Sequence, residues 1–278
     1  MDVATIQSVH IQEKNSIRMM KMIYDELRNI HYWGKYQPLE PQYFRYNTNV
    51  VMAAYKINDL YGQICVARDF LHCYNDIDNY GDISAKDEIS LKFVRKCFLE
   101  TSLMYYNYAV DFIWQVIWIY YNPWIKKELP TDELYQKCMK ECNFEELKLA
   151  LTIIREIKLR DVLQQYFSSS NQLYEKLRSK YNYLKHRGTF YTPGLGMNNS
   201  KLTITVNGYC FPCISSMEVK LEELSDMLLE FDKQFVAFCE YIIKIIMPTD
   251  YFETSMPLEA PINYYIKHKE ELIAYNQK

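Results

Sequence analysis

One apolar stripe constrains this chain more than any other feature. Leu221, Leu224, Leu228, Phe231, Phe235, Phe238, Ile242 and Ile245 recur at steps of three and four. That period puts them on one face of a helix, and the face must be buried against other elements. Ser215 and Glu218 have the spacing of a capping box and predict where the helix starts. Pro248 predicts where it ends, because proline removes a backbone donor and clashes with the preceding turn.

The remainder reads the same way. Only 7 of 278 residues are glycine and 9 are proline. Both interrupt regular elements, so their scarcity favours long helices over many-stranded sheets. The patterns predict helices over 15–30, 47–74 and 84–121, a shorter pair within 131–157, one over 160–187 with a break at Ser168-Ser169-Ser170, and a tail helix over 262–275. Ser84 with Asp87 resembles a capping box for the third of these, and Asn122-Pro123 stops it. One stretch is different. Leu202, Ile204 and Val206 alternate with Thr203 and Thr205, and Asn207-Gly208 then leads into Tyr209 to Ile214. An Asn-Gly pair supplies the two positive φ angles of a tight hairpin turn. The predicted fold is all-α: a long antiparallel helical bundle with one small β-hairpin inserted near residues 201–214.

With 49% hydrophobic residues, the chain has enough core to fold without disulfides or metals, as one elaborated domain or two small ones. The organisation expected is a single helical domain over 1–278: an N-terminal helical extension (1–83), the bundle with its hairpin (84–247) and a tail helix (248–278). Most of the eight cysteines lie in apolar helical stretches, where thiols act as small hydrophobes. Met1 to Gln12 lacks an apolar signal core. The most apolar run, Leu103 to Tyr121, carries Asn107, Asp111 and Gln115 on roughly one face, which suits a buried helix better than a lipid-facing one. A cytoplasmic protein without membrane contact is expected.

A net charge of -3 and a pI near 6.0 exclude a protein that coats nucleic acid or anionic membrane through a general basic excess. Any nucleic-acid contact must be local, and one stretch offers it. Lys176 to Gly188 has five basic residues, Lys176, Arg178, Lys180, Lys185 and Arg187, with two tyrosines and His186, and no acidic residue. At about 100° per residue, Leu177, Tyr181 and Leu184 make the apolar stripe of this helix. Asn182 and His186 fall on roughly the opposite face. An imidazole there suits acid-base chemistry on RNA, because its pKa lies near neutrality and a neighbouring cation would steady the charge building on phosphorus. The same residues also suit a plain helix end, where cations complement the dipole and Gly188 caps the last turn.

Asn182, three intervening residues and His186 resemble the signature of the HEPN superfamily of helical nucleotide-binding domains. The likeness is greatest to stand-alone bacterial members related to predicted ribonucleases. That signature is an arginine, a polar residue, three variable residues and a histidine. Here Tyr181 stands in the arginine position, and Arg178 lies eight residues before His186. The resemblance implies a helical bundle, usually dimeric, that cleaves RNA without a metal by 2′-hydroxyl attack, often with an antitoxin or phage-defence partner. It implies His186 and Asn182 as catalytic residues, and Arg178, Lys185, Arg187 and Tyr181 as substrate-binding residues. The alternative is a non-catalytic interaction or scaffold module, which the replaced arginine favours.

Other signals weigh less. Arg28-Asn29-Ile30-His31 has its histidine too early for the motif and reads as a helix end. Cys210 and Cys213 form a CxxC that Cys138 and Cys142 could complete as a zinc site, but idle or buried thiols are the stronger reading, and no cofactor is expected. Gly194-Leu195-Gly196 lacks the setting of a nucleotide loop. Asp111 reads as a carboxylate hydrogen-bonded by tyrosines.

Overall fold

The structure is a computed structural model that describes residues 31–75, 87–122, 125, 128–196, 204–211, 214–253 and 255–277. The predicted helix over 15–30, Ser84, Leu202, Thr203 and Cys213 lie outside the described residues. The fold is all-α, with one two-stranded antiparallel sheet among the described residues. In chain order the helices are α1 (His31–Gly34), α2 (Glu40–Arg45), α3 (Thr48–Asn75), α4 (Glu88–Tyr121), α5 (Asp132–Glu141), α6 (Phe144–Ile153), α7 (Ile157–Tyr166) and α8 (Gln172–His186). The hairpin β1 (Ile204–Val206) and β2 (Tyr209–Phe211) follows, and then α9 (Leu221–Ile246), α10 (Ala260–Lys267) and α11 (Lys269–Asn276).

Short side chains start the middle helices. Thr131, Asn143 and Asn171 each accept a hydrogen bond from the backbone N–H three residues on, which satisfies one orphan donor of α5, α6 and α8. Asp87 does the same for α4, taking the Ser90 N–H at 2.9 Å and the Ser90 hydroxyl at 2.6 Å, so the cap falls on Asp87 and α4 begins at Glu88. The serine run does break the predicted helix over 160–187 into α7 and α8. The hairpin pairs Ile204 with Phe211 and Val206 with Tyr209, and its turn holds Asn207 at φ 52° and Gly208 at φ 81°.

Three expectations are corrected. Ser215 and Glu218 do not cap α9, which starts at Leu221. The backbone before it is committed elsewhere: Tyr191 N–H donates to Met217 O at 2.9 Å, and Val219 N–H donates to Tyr191 O at 2.8 Å. The tail is two helices that part at His268, not one over 262–275. Ile245 is 45% exposed while Ile246 is buried. Steps of three and four drift about 20° per seven residues against a straight helix, so by the end of α9 the buried face has moved to its neighbour.

The described residues form two compact units, each drawn from separated stretches. One contains Ile64–Asn107 and Tyr166–Phe235, and the other Tyr108–Gln165, Val236–Lys278 and the stretch ending at Gln63. In the first, α3, α4 and α9 meet at a buried polar cluster. The Arg68 guanidinium donates to both carboxylate oxygens of Asp232, at 2.5 and 2.7 Å, and the Tyr106 hydroxyl donates to the same carboxylate at 2.8 Å. Ser102 donates to Ala67 O at 2.8 Å, and these small residues let α3 and α4 approach. In the second, Met52, Ala53, Ile119, Ile125 and Cys138 form one apolar cluster. Lys56 is buried there. Its ammonium lies 3.3 Å from the centre of the Phe112 ring and 3.5 Å from Asp59. No helix among the described residues is long and apolar enough to cross a membrane.

Candidate functional site

The inner face of α8 fixes everything around it. Tyr174, Leu177 and Tyr181 are buried, which sets the rotation of the helix. Asn182, Lys185, His186 and Arg187 are exposed. His186 therefore projects away from the core, as its position in the period predicts. Among the described residues, none engages the side chain of Asn182, His186 or Arg187 in a hydrogen bond or ion pair. The helix closes with the Arg187 and Gly188 N–H groups both donating to Tyr183 O, and Gly188 takes φ 132°, where a side chain would be strained.

Two of the expected substrate-binding residues are placed otherwise. Tyr181 is 6% exposed and turned inward, so it offers no ring to a substrate. Arg178 donates to Asn107 Oδ1 at 3.1 Å, and Asn107 is itself fully buried on α4. Arg178 thus ties α8 to α4. Eight residues of helix put it about 12 Å along the axis from His186. Lys185 lies partly over the Tyr181 ring, 5.9 Å from its centre, while remaining exposed.

A second row of cations lies about a quarter turn away from His186. Lys176, Lys180, Tyr183 and Arg187 recur at steps of four, three and four and share a face. The loop that follows α8 returns to this face. Phe190 stacks on Tyr183 with centroids 5.7 Å apart, Lys180 sits 6.0 Å from the Phe190 ring, and Tyr183 Oη accepts the Met217 N–H at 2.9 Å. Two lysines of α4 join them. Lys96 donates to Phe190 O at 2.8 Å, and the Lys92 ammonium lies so close to Gly194 that an added Cβ would stand 3.1 Å from it. The sequence reading named neither lysine. Their spacing of four on α4 was visible, but the loop closure that brings them to α8 is not local information.

The electrostatics are uneven. Burial pushes the Lys180 ammonium below its ordinary range, and Lys176 adds to the lowering while Glu223 opposes it. Burial pushes Glu100 above the usual carboxylate range, against the pull of Lys96 3.6 Å away. No acidic residue among those described pairs with Lys176, Lys185 or Arg187. The negative end of the helix dipole, equivalent to roughly half a charge, opposes an anion at this terminus. The full charges of Lys185 and Arg187 at this terminus exceed it.

The other chemistry-bearing groups do not gather into a site. Burial pushes the Cys142 thiol up to about 12, and the Asp111 charge adds to it, the reverse of the thiolate a zinc ion needs. Cys138 is buried and Cys210 is exposed on the hairpin. No group of three His, Cys, Asp or Glu side chains placed to hold a metal occurs among the described residues. No protein family profile, curated protein or solved structure matches this chain.

Proposed function

We propose that this chain is a HEPN-like RNA-binding protein that takes phosphate on the cationic end of α8. The carrying observation is that Lys176 and Arg187 on one face of this helix, and Lys185 on another, stand without acidic partners, with Lys92 of α4 added at the adjoining loop. Cations that a fold leaves unneutralised around one helix of an acidic protein are suited to a polyanion. Lys185 and Arg187 hold phosphate in this reading. The catalytic form of the proposal gives His186 the proton transfer in metal-independent cleavage by the 2′-hydroxyl, with Asn182 orienting the imidazole or the phosphate. A homodimer that brings two His186 side chains together, and an antitoxin or defence partner, belong to that form.

A specific observation favours the non-catalytic reading beside it. Tyr181 is buried in the place of the motif arginine, and Arg178 donates to Asn107 about 12 Å along the helix from His186. The two forms separate in one experiment. Labelled single-stranded RNA is mixed with wild type, His186→Ala and Lys185→Glu/Arg187→Glu proteins, and both binding and cleavage are followed. Cleavage lost in His186→Ala with binding kept supports catalysis. Equal cleavage by wild type and His186→Ala removes the catalytic form. Binding unaffected by the charge reversals removes the proposal itself.

A further inference from the structure

We propose that the exposed face of the hairpin is a stacking platform for unpaired bases, so that the nucleic acid taken is single-stranded. This rests on the reading of α8 as a phosphate-binding surface and names the substrate class for it.

From Thr205 to Phe211 every residue of the hairpin is exposed. Val206 is 51% exposed, Tyr209 73% and Phe211 51%. Tyr209 and Phe211 are two residues apart on one strand and so point to the same side of the ribbon. Val206, the register partner of Tyr209, belongs to that side too, while Thr205 and Cys210 occupy the other. Two aromatic rings in a row, backed by an aliphatic side chain and left in water, are costly to keep unless something flat covers them. Every base has a π-face, so a ring pair of this kind binds unpaired bases with little regard to sequence.

Charge complementarity selects the occupant. The hairpin carries no charged side chain between Ile204 and Phe211. The excursion that bears it leaves and returns beside the cations of α8: Tyr191 N–H donates to Met217 O, Val219 N–H donates to Tyr191 O, and Met217 N–H donates to the Tyr183 hydroxyl. Phe211 is six residues before Met217, so at most roughly 21 Å of chain separates the rings from the helix face that carries Lys176, Lys180 and Arg187. One short strand can lay its bases on the hairpin and its phosphates on α8. A duplex hides its bases from any ring and would use only the cations.

The test uses the whole chain, a fluorescein-labelled unstructured oligoadenylate, and an RNA duplex of the same length, with binding read by anisotropy across a salt series. Tyr209→Ala and Phe211→Ala are each expected to weaken single-strand binding roughly tenfold and to leave duplex binding and the salt slope unchanged. Tyr209→Phe keeps the ring and is expected to bind like wild type, which separates stacking from any role of the hydroxyl. Lys185→Glu/Arg187→Glu is expected to weaken both RNAs and flatten the salt slope. Sedimentation of each protein is measured alongside. If wild type binds the oligoadenylate and the two alanine variants bind it equally well, the platform is overturned and the α8 reading stands. If wild type binds neither RNA, both are overturned. If the alanine variants lower the sedimentation coefficient and leave RNA binding intact, the face belongs to a second copy of the chain and the platform is overturned.

Discussion

Asp232→Asn is expected to destabilise the protein by about 3–5 kcal/mol. The carboxylate is fully buried, and it accepts from the Arg68 Nε and Nη2 atoms and from the Tyr106 hydroxyl. Burial alone would lower the Arg68 pKa, but Asp232 raises it, so the guanidinium stays charged. Asparagine preserves the shape but offers one acceptor oxygen and turns an N–H toward a cation. That leaves Arg68, whose side chain is only 5% exposed, as an uncompensated buried charge. With a urea slope of about 3 kcal/mol/M, the midpoint falls by about 1–1.7 M. Far-UV circular dichroism is the right probe. Trp33, Trp114 and Trp118 all belong to the second unit, whereas the ion pair lies in the first, so tryptophan emission alone would misreport the change. The companion variant, Arg68→Met/Asp232→Leu, removes both charges and is expected to recover most of the loss, since apolar replacement of a buried pair is close to neutral. A cost below about 1 kcal/mol for Asp232→Asn refutes the reasoning. So does a double variant as unstable as the single one, because the loss would then come from packing and not from an orphaned charge.

Four smaller expectations follow from other elements. Arg155 ends α6 at φ 65°, with Glu156 N–H donating to Leu151 O, so Arg155→Gly is expected to raise the stability by about 0.5–1 kcal/mol, read by urea titration. His186→Ala and Asn182→Ala are expected to change the stability by less than about 0.5 kcal/mol because both side chains are exposed and unengaged. Tyr181→Ala, which empties a buried site, is expected to cost about 3–5 kcal/mol in the same titration. Burial pushes Tyr121 up to about 12, with Glu156 adding to it, and burial and the Asp250 hydrogen bond do the same for Tyr46. These folded values exceed the unfolded value near 10, so their contribution is complete below about pH 10 and is lost as pH rises toward 12. Tyrosinate absorbance should show a late-ionising class that appears together with loss of helix; all tyrosines ionising near pH 10 in a native protein would refute it.

What the sequence discloses depends on whether the cause is local. The exposure of His186 and Asn182 follows from the Leu177 and Tyr181 period, since one helix fixes both faces. The hairpin follows from Asn207-Gly208, because positive φ is a property of the turn itself. The start of α9 does not. Ser215 and Glu218 have capping spacing, yet the stretch is held by Tyr191 from across the loop. Arg68 and Asp232 are 164 residues apart and look like surface charges in the sequence, and only packing reveals the pair. Arg178 is similar: it reads as a free cation of the basic stretch until Asn107, 71 residues away, claims it.

The backbone bonds that join Tyr191 to Met217 and Val219 close a ring at the foot of the hairpin. Below that ring the residues answer to the stability of the helices. Beyond it, at the β-turn, a change of side chain meets water on every side, and splicing a foreign peptide between Asn207 and Gly208 would tax the fold little more than the entropy of a longer loop. The tip is thus open to selection for whatever it touches, on terms separate from those that keep the chain folded.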